Sequence, residues 1–176
     1  GALYVPGAER IVPAIHSLHR HAAVASIPVL STMDAHTEDD PEFQSWPPHC
    51  IAGTVAQHKA AATLLENRVI IPNRDGPFSI EGAQQILLEK QTLDAFATRT
   101  MRRVIEALNA DRFIVYGVVT EICVLWAARG LLAANKQVAL VSDAVRELKA
   151  DEAARAFAEI RSLGGSVTTL SEVLGG

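Results

Sequence analysis

Three sets of residues in this 176-residue chain have types and spacings that could do chemistry. The first centres on Cys123, within Arg112 to Leu131. Phe113 to Tyr116 is a run of β-formers suited to a buried strand, and Gly117 ends it. Thr120 then stands at an N-cap position, and Glu121 to Leu131 has the pattern of a helix with an apolar face. Cys123 therefore falls in a first helical turn, facing unpaired backbone N–H groups and the positive end of the helix dipole. Both favour thiolate over thiol, the requirement for a nucleophile. The plain alternative is a packing cysteine, since free Cys is among the most buried residue types.

The second set follows a predicted strand, Ile27 to Thr32, in a loop of roughly twenty residues, a length more typical of function than of simple connection. Asp34, His36 and His49 make a carboxylate–imidazole group suited to Zn, Fe or Mn, and Glu42 is available as a fourth ligand or to orient one. The alternative is a polar loop with a capping Asp and surface histidines. Cys50 adjoins His49 but has no helix-start setting, so a packing role is expected. The third is Lys90, at the carboxyl end of the apolar strand Ile86 to Glu89. A lysine there is usually a solvated terminus. Beside a thiol it would depress the thiol pKa and steady the charge of a tetrahedral intermediate. His16, His19 and His21 are expected on a solvated helix face, because no carboxylate or Cys joins them at ligand spacing.

Alternating strands and helices must position these groups. Helices are expected over Ala8 to Val24, Val55 to Leu65, Thr98 to Ala110 and Ala150 to Leu163. Further strands are expected at Val69 to Ile71, Lys136 to Val141 (ending at Ser142-Asp143) and Ser166 to Thr169, with a terminal turn from Ser171 to Leu174. This alternation predicts an α/β fold with a mostly parallel sheet in a three-layer arrangement, as one domain over residues 1–176. Strand carboxyl ends then share one rim, where α/β sheets bind ligands, so Asp34, Lys90 and Cys123 should converge.

Composition narrows the function. Hydrophobic residues are 49% and charged residues 20%, an ordinary globular balance. The formal charge is −4 and no basic stripe is present, which argues against nucleic-acid binding. No apolar run reaches membrane-spanning length. Two cysteines do not form a disulfide framework, so a reducing, cytoplasmic setting is expected. The chain opens on Gly rather than Met, so the lack of a leader says nothing about targeting. No Gly-x-Gly-x-x-Gly follows a strand, which sets aside a dinucleotide-binding reading.

With these residues on one rim, the chain resembles the isochorismatase-like cysteine hydrolases, and among them the nicotinamidases. The match lies in GVVTEICV at Gly117 to Val124, in Asp34-x-His36 followed by WPPHCIAGT at Trp46 to Thr54, in the entry GALYVPGA, and in Lys90 with Phe96. The resemblance implies a Cys-Lys-Asp triad with Cys123 as nucleophile and Lys90 as second member. It implies a cis peptide between Val118 and Val119, with the N–H groups of Val119 and Cys123 as oxyanion hole. It also implies a divalent metal (Zn, Fe or Mn) on Asp34, His36 and His49, with Glu42 joining as in some members, and Trp46 and Phe96 as substrate contacts. The implied activity is hydrolysis of nicotinamide to nicotinate and ammonia by a small-molecule amidase, expected as a homo-oligomer.

The sequence departs from that pattern twice. The family's triad aspartate lies on a first strand ahead of GALYVPGA, and no residue here takes its role. The neighbouring strands should therefore be exposed. Lys90 and Phe96 are also only six apart, closer to the wider family than to nicotinamidases. The rival readings are another small-amide or N-carbamoyl hydrolase, an isochorismatase, and an inactive binding scaffold.

Overall fold

The computed structural model describes residues 2–175 and, at Arg99, the backbone; Gly1 and Gly176 lie outside it. The described residues form six strands, the last three alternating with helices and the first three joined without an α-helix between them: α1 (Val12–Val24), β1 (Val29–Asp34), β2 (Arg68–Ile71), β3 (Gln85–Lys90), α2 (Arg99–Leu108), β4 (Arg112–Val118), α3 (Leu125–Ala133), β5 (Gln137–Arg146), α4 (Ala150–Ser162), β6 (Ser166–Thr168) and α5 (Leu170–Leu174). All pairings are parallel. The expected α/β fold is therefore present, but the strands form two three-stranded sheets, ordered β1-β3-β2 and β4-β5-β6.

One apolar core nevertheless runs across both sheets. Ile86 and Leu88 of β3 meet Val115 of β4 and Leu140 of β5, and Met101, Val104 and Ile105 of α2 pack onto them. Those three α2 residues recur at helical spacing, so one face of the helix is buried, each side chain contributing about 1.5–3 kcal/mol. Thr98 caps α2 by accepting from the Met101 N–H at 3.2 Å, and Asn109 ends it in the left-handed region at φ 47°. On the opposite face, Leu18 of α1 packs with Val141 and Ala144 of β5, beside Leu170 and Val173 of α5.

Among the described strands, β1, β2, β4 and β6 each pair on one side only. The N–H groups of Val29 and Ala35 both point to the β3 side, so alternation turns the backbone of Leu30, Thr32 and Asp34 toward the free edge. Lys59 covers part of that edge, donating from Nζ to the Thr32 carbonyl at 2.9 Å. Burial there pushes its ammonium below the ordinary lysine range, and the Asp34 carboxylate pulls partly back.

Several expected elements are altered. Val55 to Leu65 is not a helix; it holds two short 3₁₀ turns, Val55–Gln57 and Ala61–Thr63. Ala56, Ala60, Ala61 and Ala62 are all exposed, so no apolar face existed to be buried. Strand β5 does not stop at Ser142-Asp143. After a register shift between Val115 and Gly117 it pairs again with β4, Gly117 against Val145 and Val118 against Arg146. Asp143 thus lies within a strand, and its carboxylate accepts the Leu170 N–H at the start of α5, at 2.8 Å.

His19 is the clearest correction to the solvated-face expectation. It is buried on α1 with its ring centroid 5.8 Å from that of Tyr116, and its Nδ1 has no partner. His16 on the same helix is exposed. Burial, aided by the nearby Lys59 charge, lowers the His19 pKa from 6.5 to about 4. The unfolded chain then binds a proton first as pH falls below 6.5, so the contribution is present above that value and is lost toward pH 4. Urea titrations should show up to about 3 kcal/mol of destabilisation over this window, and His19→Gln should flatten the slope. A second test concerns Gly130, where a Cβ would come within 2.1 Å of the Phe96 ring. Gly130→Ala should lower the urea midpoint, costing about 1–3 kcal/mol through overpacking.

Candidate active site

The parallel register of β1 and β3 sets Asp34 directly opposite Lys90, at the carboxyl ends of both strands. Lys90 is 4% exposed and spends its three protons within the protein. Its Nζ donates to the Asp34 carboxylate, to the Thr92 carbonyl at 3.0 Å and toward Cys123 Sγ at 3.8 Å. Burial opposes the Lys90 charge, but Cys123 in its ionised form and the Asp34 carboxylate outweigh it and hold the ammonium above its ordinary range.

Cys123 reaches this point by a local route the sequence does not show. Val119 is extended, a π-helical turn spans Thr120–Val124, and α3 begins only at Leu125. Thr120 is not a cap; its hydroxyl is fully buried without a partner. The Val118–Val119 peptide is cis. Glu121 holds the turn against the start of α4, its carboxylate accepting from the N–H groups of Leu148 and Lys149, each at 2.9 Å. The expected depression of the thiol pKa does not hold in sum. Burial pushes Cys123 up; Lys90 and a hydrogen bond from the Val119 backbone pull down, and Asp34 adds to the rise.

Asp34, His36 and His49 each offer a ligand atom, and these atoms all lie within 4.8 Å of one another. His49 is brought there by a short backbone bridge. The His36 N–H donates to the Cys50 carbonyl at 3.1 Å and the Ala52 N–H returns to the His36 carbonyl at 2.9 Å. Cys50 makes this turn with φ 44°, in the left-handed region, and burial raises its own thiol pKa. Both rings have Nδ1 engaged: His36 with Asp40 at 3.0 Å, His49 with the Pro47 carbonyl at 2.9 Å. His36 Nε2 is buried without a partner, while His49 Nε2 lies 3.7 Å from Glu42. Phe43 seats against both imidazoles, its centroid 5.4 and 5.5 Å from theirs. Two imidazoles and a carboxylate, with one buried nitrogen unsatisfied, fit a divalent cation.

The remaining sequence candidates fall differently. Trp46 is half-buried on the same loop, its N–H bonded to the Glu42 carbonyl at 3.0 Å. Phe96 is 5% exposed and lies in the core against Gly130, so its ring is occupied by packing. Sequence reasoning passed over Asp40, Phe43 and Gln91. Asp40 carried a signal, an Asp before Pro41 in the pattern of a capped turn; it accepts from the Glu42 N–H at 2.9 Å. Gln91 and Phe43 had none.

An isochorismatase domain model matches residues 1–172. The chain belongs to the isochorismatase family. Among solved structures, the pyrazinamidase of Pyrococcus horikoshii in complex with zinc is 23% identical with a TM-score of 0.81, covering 96% of this chain and 90% of that one. The N-carbamoylsarcosine amidase of Thermoplasma acidophilum is 23% identical with a TM-score of 0.77, covering 97% and 88%. The nicotinamidase of Bacillus subtilis is 22% identical with a TM-score of 0.76, covering 91% and 84%. No curated protein sequence matches this chain. At these identities the structural likeness gives this isochorismatase-family member its fold, and the chemistry rests on its own side chains. No helix among the described residues is long and apolar enough to cross a membrane.

Because the Cys123 thiol is held above its ordinary value of 9.0, its alkylation should have no plateau near neutrality. In a Cys50→Ser background, the rate with iodoacetamide should still be climbing at about pH 9. A plateau reached below about pH 8 would contradict the assignment of burial as the dominant influence.

Proposed function

We propose that this protein is a metal-assisted cysteine amidohydrolase of small carboxamides, with nicotinamide as the first candidate substrate and nicotinate and ammonia as products. The reading is carried by one observation: the Lys90 ammonium is set between Cys123 Sγ and the Asp34 carboxylate, next to two imidazoles. It is supported by structural neighbours described as pyrazinamidase and nicotinamidase.

In this reading Cys123 is the nucleophile. Its thiol gives up a proton as attack proceeds, the proton that the leaving nitrogen takes up when the intermediate collapses, and the neighbouring Lys90 charge steadies the thiolate in between. Asp34, bonded to Lys90, keeps that ammonium in place. The sulfur forms a bond to the amide carbon, and the carbonyl oxygen takes the electron pair. The N–H groups of Val119 and Cys123 are assigned to that oxygen, beside the cis peptide. Collapse expels the amine with a proton as ammonia, leaving a thioester that water cleaves. Asp34, His36 and His49, with Glu42 beside them, would hold the divalent ion, zinc being favoured over iron or manganese by the neighbouring pyrazinamidase. When bound, it supplies a Lewis acid for a pyridine nitrogen and for water. Trp46 would form a wall of the ring pocket. The same reading takes the protein as a cytoplasmic homo-oligomer working in pyridine-nucleotide salvage.

A second substrate class has its own support. Phe96 is spent on core packing, which leaves one fewer aromatic for a pyridine ring. That favours an N-carbamoyl or other small amide, in line with the N-carbamoylsarcosine amidase neighbour.

The test is ammonia release from nicotinamide with zinc, iron or manganese supplied. Release should be lost in Cys123→Ala, by at least about a thousandfold, with the circular dichroism spectrum unchanged. Undiminished release by that variant would overturn the nucleophile. Release from N-carbamoyl amides alone would move the assignment to the second class.

A further inference from the structure

His36 can bind a metal through Nε2 only if its proton sits on Nδ1. In a ring with no partner that choice is open, and the two tautomers are of similar energy. Here the surroundings decide it. Asp40 Oδ2 lies 3.0 Å from His36 Nδ1, with both side chains buried. A carboxylate only accepts, so the ring must donate from Nδ1 and turn a bare Nε2 inward. That Nε2 is the buried, unpartnered nitrogen beside Asp34 and His49.

Asp40 is itself held from two directions. The Glu42 N–H donates to Oδ1 at 2.9 Å, so the carboxylate also starts the Pro41–Gln44 turn that carries Glu42 and Phe43. Gln91 donates from Nε2 to Oδ2 at 3.3 Å, and Gln91 follows Lys90 directly. Gln91 is fixed in turn, accepting from Asn73 Nδ2 at 2.7 Å. The carboxylate therefore joins the imidazole, the loop and the end of β3. His49 has only a neutral carbonyl in the corresponding place, that of Pro47.

We propose that Asp40 is a positioning residue of the metal half of the site: it sets the tautomer and aim of His36 and strengthens its nitrogen as a donor. It touches neither substrate nor metal. This rests on the metal-binding reading above for its consequence, but the tautomer is a property of the protein alone.

The experiment is a ¹⁵N-correlated spectrum of the histidine rings in the metal-free protein, at a pH where they are neutral, with His36 assigned from its absence in His36→Gln. His36 should be protonated on Nδ1 and bare on Nε2. An Nε2–H form in the wild-type protein would overturn the proposal. In Asp40→Ala the ring should lose that preference, and the dissociation constant for Zn²⁺, read by competition with a chelating dye, should rise about 10- to 100-fold. Asp40→Asn keeps an oxygen acceptor without the charge and should restore the tautomer while recovering only part of the affinity. Unchanged zinc affinity in Asp40→Ala would also overturn it. Should Asp40→Ala fail to fold, the wild-type spectrum and Asp40→Asn still decide. Absence of zinc binding by the wild-type protein would remove the metal reading, and the wild-type tautomer would still stand for or against Asp40.

Discussion

A buried ammonium needs negative partners, and most of this site follows from meeting that need for Lys90. The charge is 4% exposed at the end of a parallel strand, where leaving it unpaired would cost several kcal/mol. Register supplies Asp34 from the adjacent strand. The π-helical turn brings Cys123 Sγ to 3.8 Å from the same Nζ. The residue that compensates the lysine also belongs to the metal-type group, so one carboxylate joins the two halves of the site. Neither half can be moved without changing the electrostatics of the other.

The thiol shows how the competition is resolved. A cation at 3.8 Å and a hydrogen bond from the Val119 backbone favour thiolate, yet burial and the facing carboxylate win. Cys50, whose thiol is also raised, differs in place: it sits in a left-handed turn of the loop rather than in the π-helical turn ahead of α3.

The rim was legible because it rests on strand ends. Asp34, Lys90 and Cys123 each follow a short apolar run, and the alternation of strands with helices places such ends together whatever the pairing details. The metal-type group was legible from residue type. What could not be read was decided by tertiary contacts. Val55 to Leu65 has helix-favouring composition, but Lys59 reaches Thr32 and Gln57 accepts from Gly53, and these outlying bonds replace a helix that had no face to bury. Phe96 was expected in the pocket because of its place after Lys90; the absence of a side chain at Gly130 draws it into the core. Thr120 looked like a cap until the wider turn displaced the helix start to Leu125. The single sheet expected from the alternation is two three-stranded sheets, with β1 and β4 among their edges.

The bridge between His36 and Ile51 has a consequence for how such a site can diversify. It pins both ends of a loop whose two ligands sit at its base. Between the turn that Asp40 starts and Pro47 lie Ser45, exposed, and Trp46, half-buried. Lengthening a closed loop costs little, only about 0.6 kcal/mol per doubling. This stretch can therefore be rebuilt by insertion, while the imidazoles at the base keep their spacing. The tip and the imidazoles share one loop but are separately adjustable.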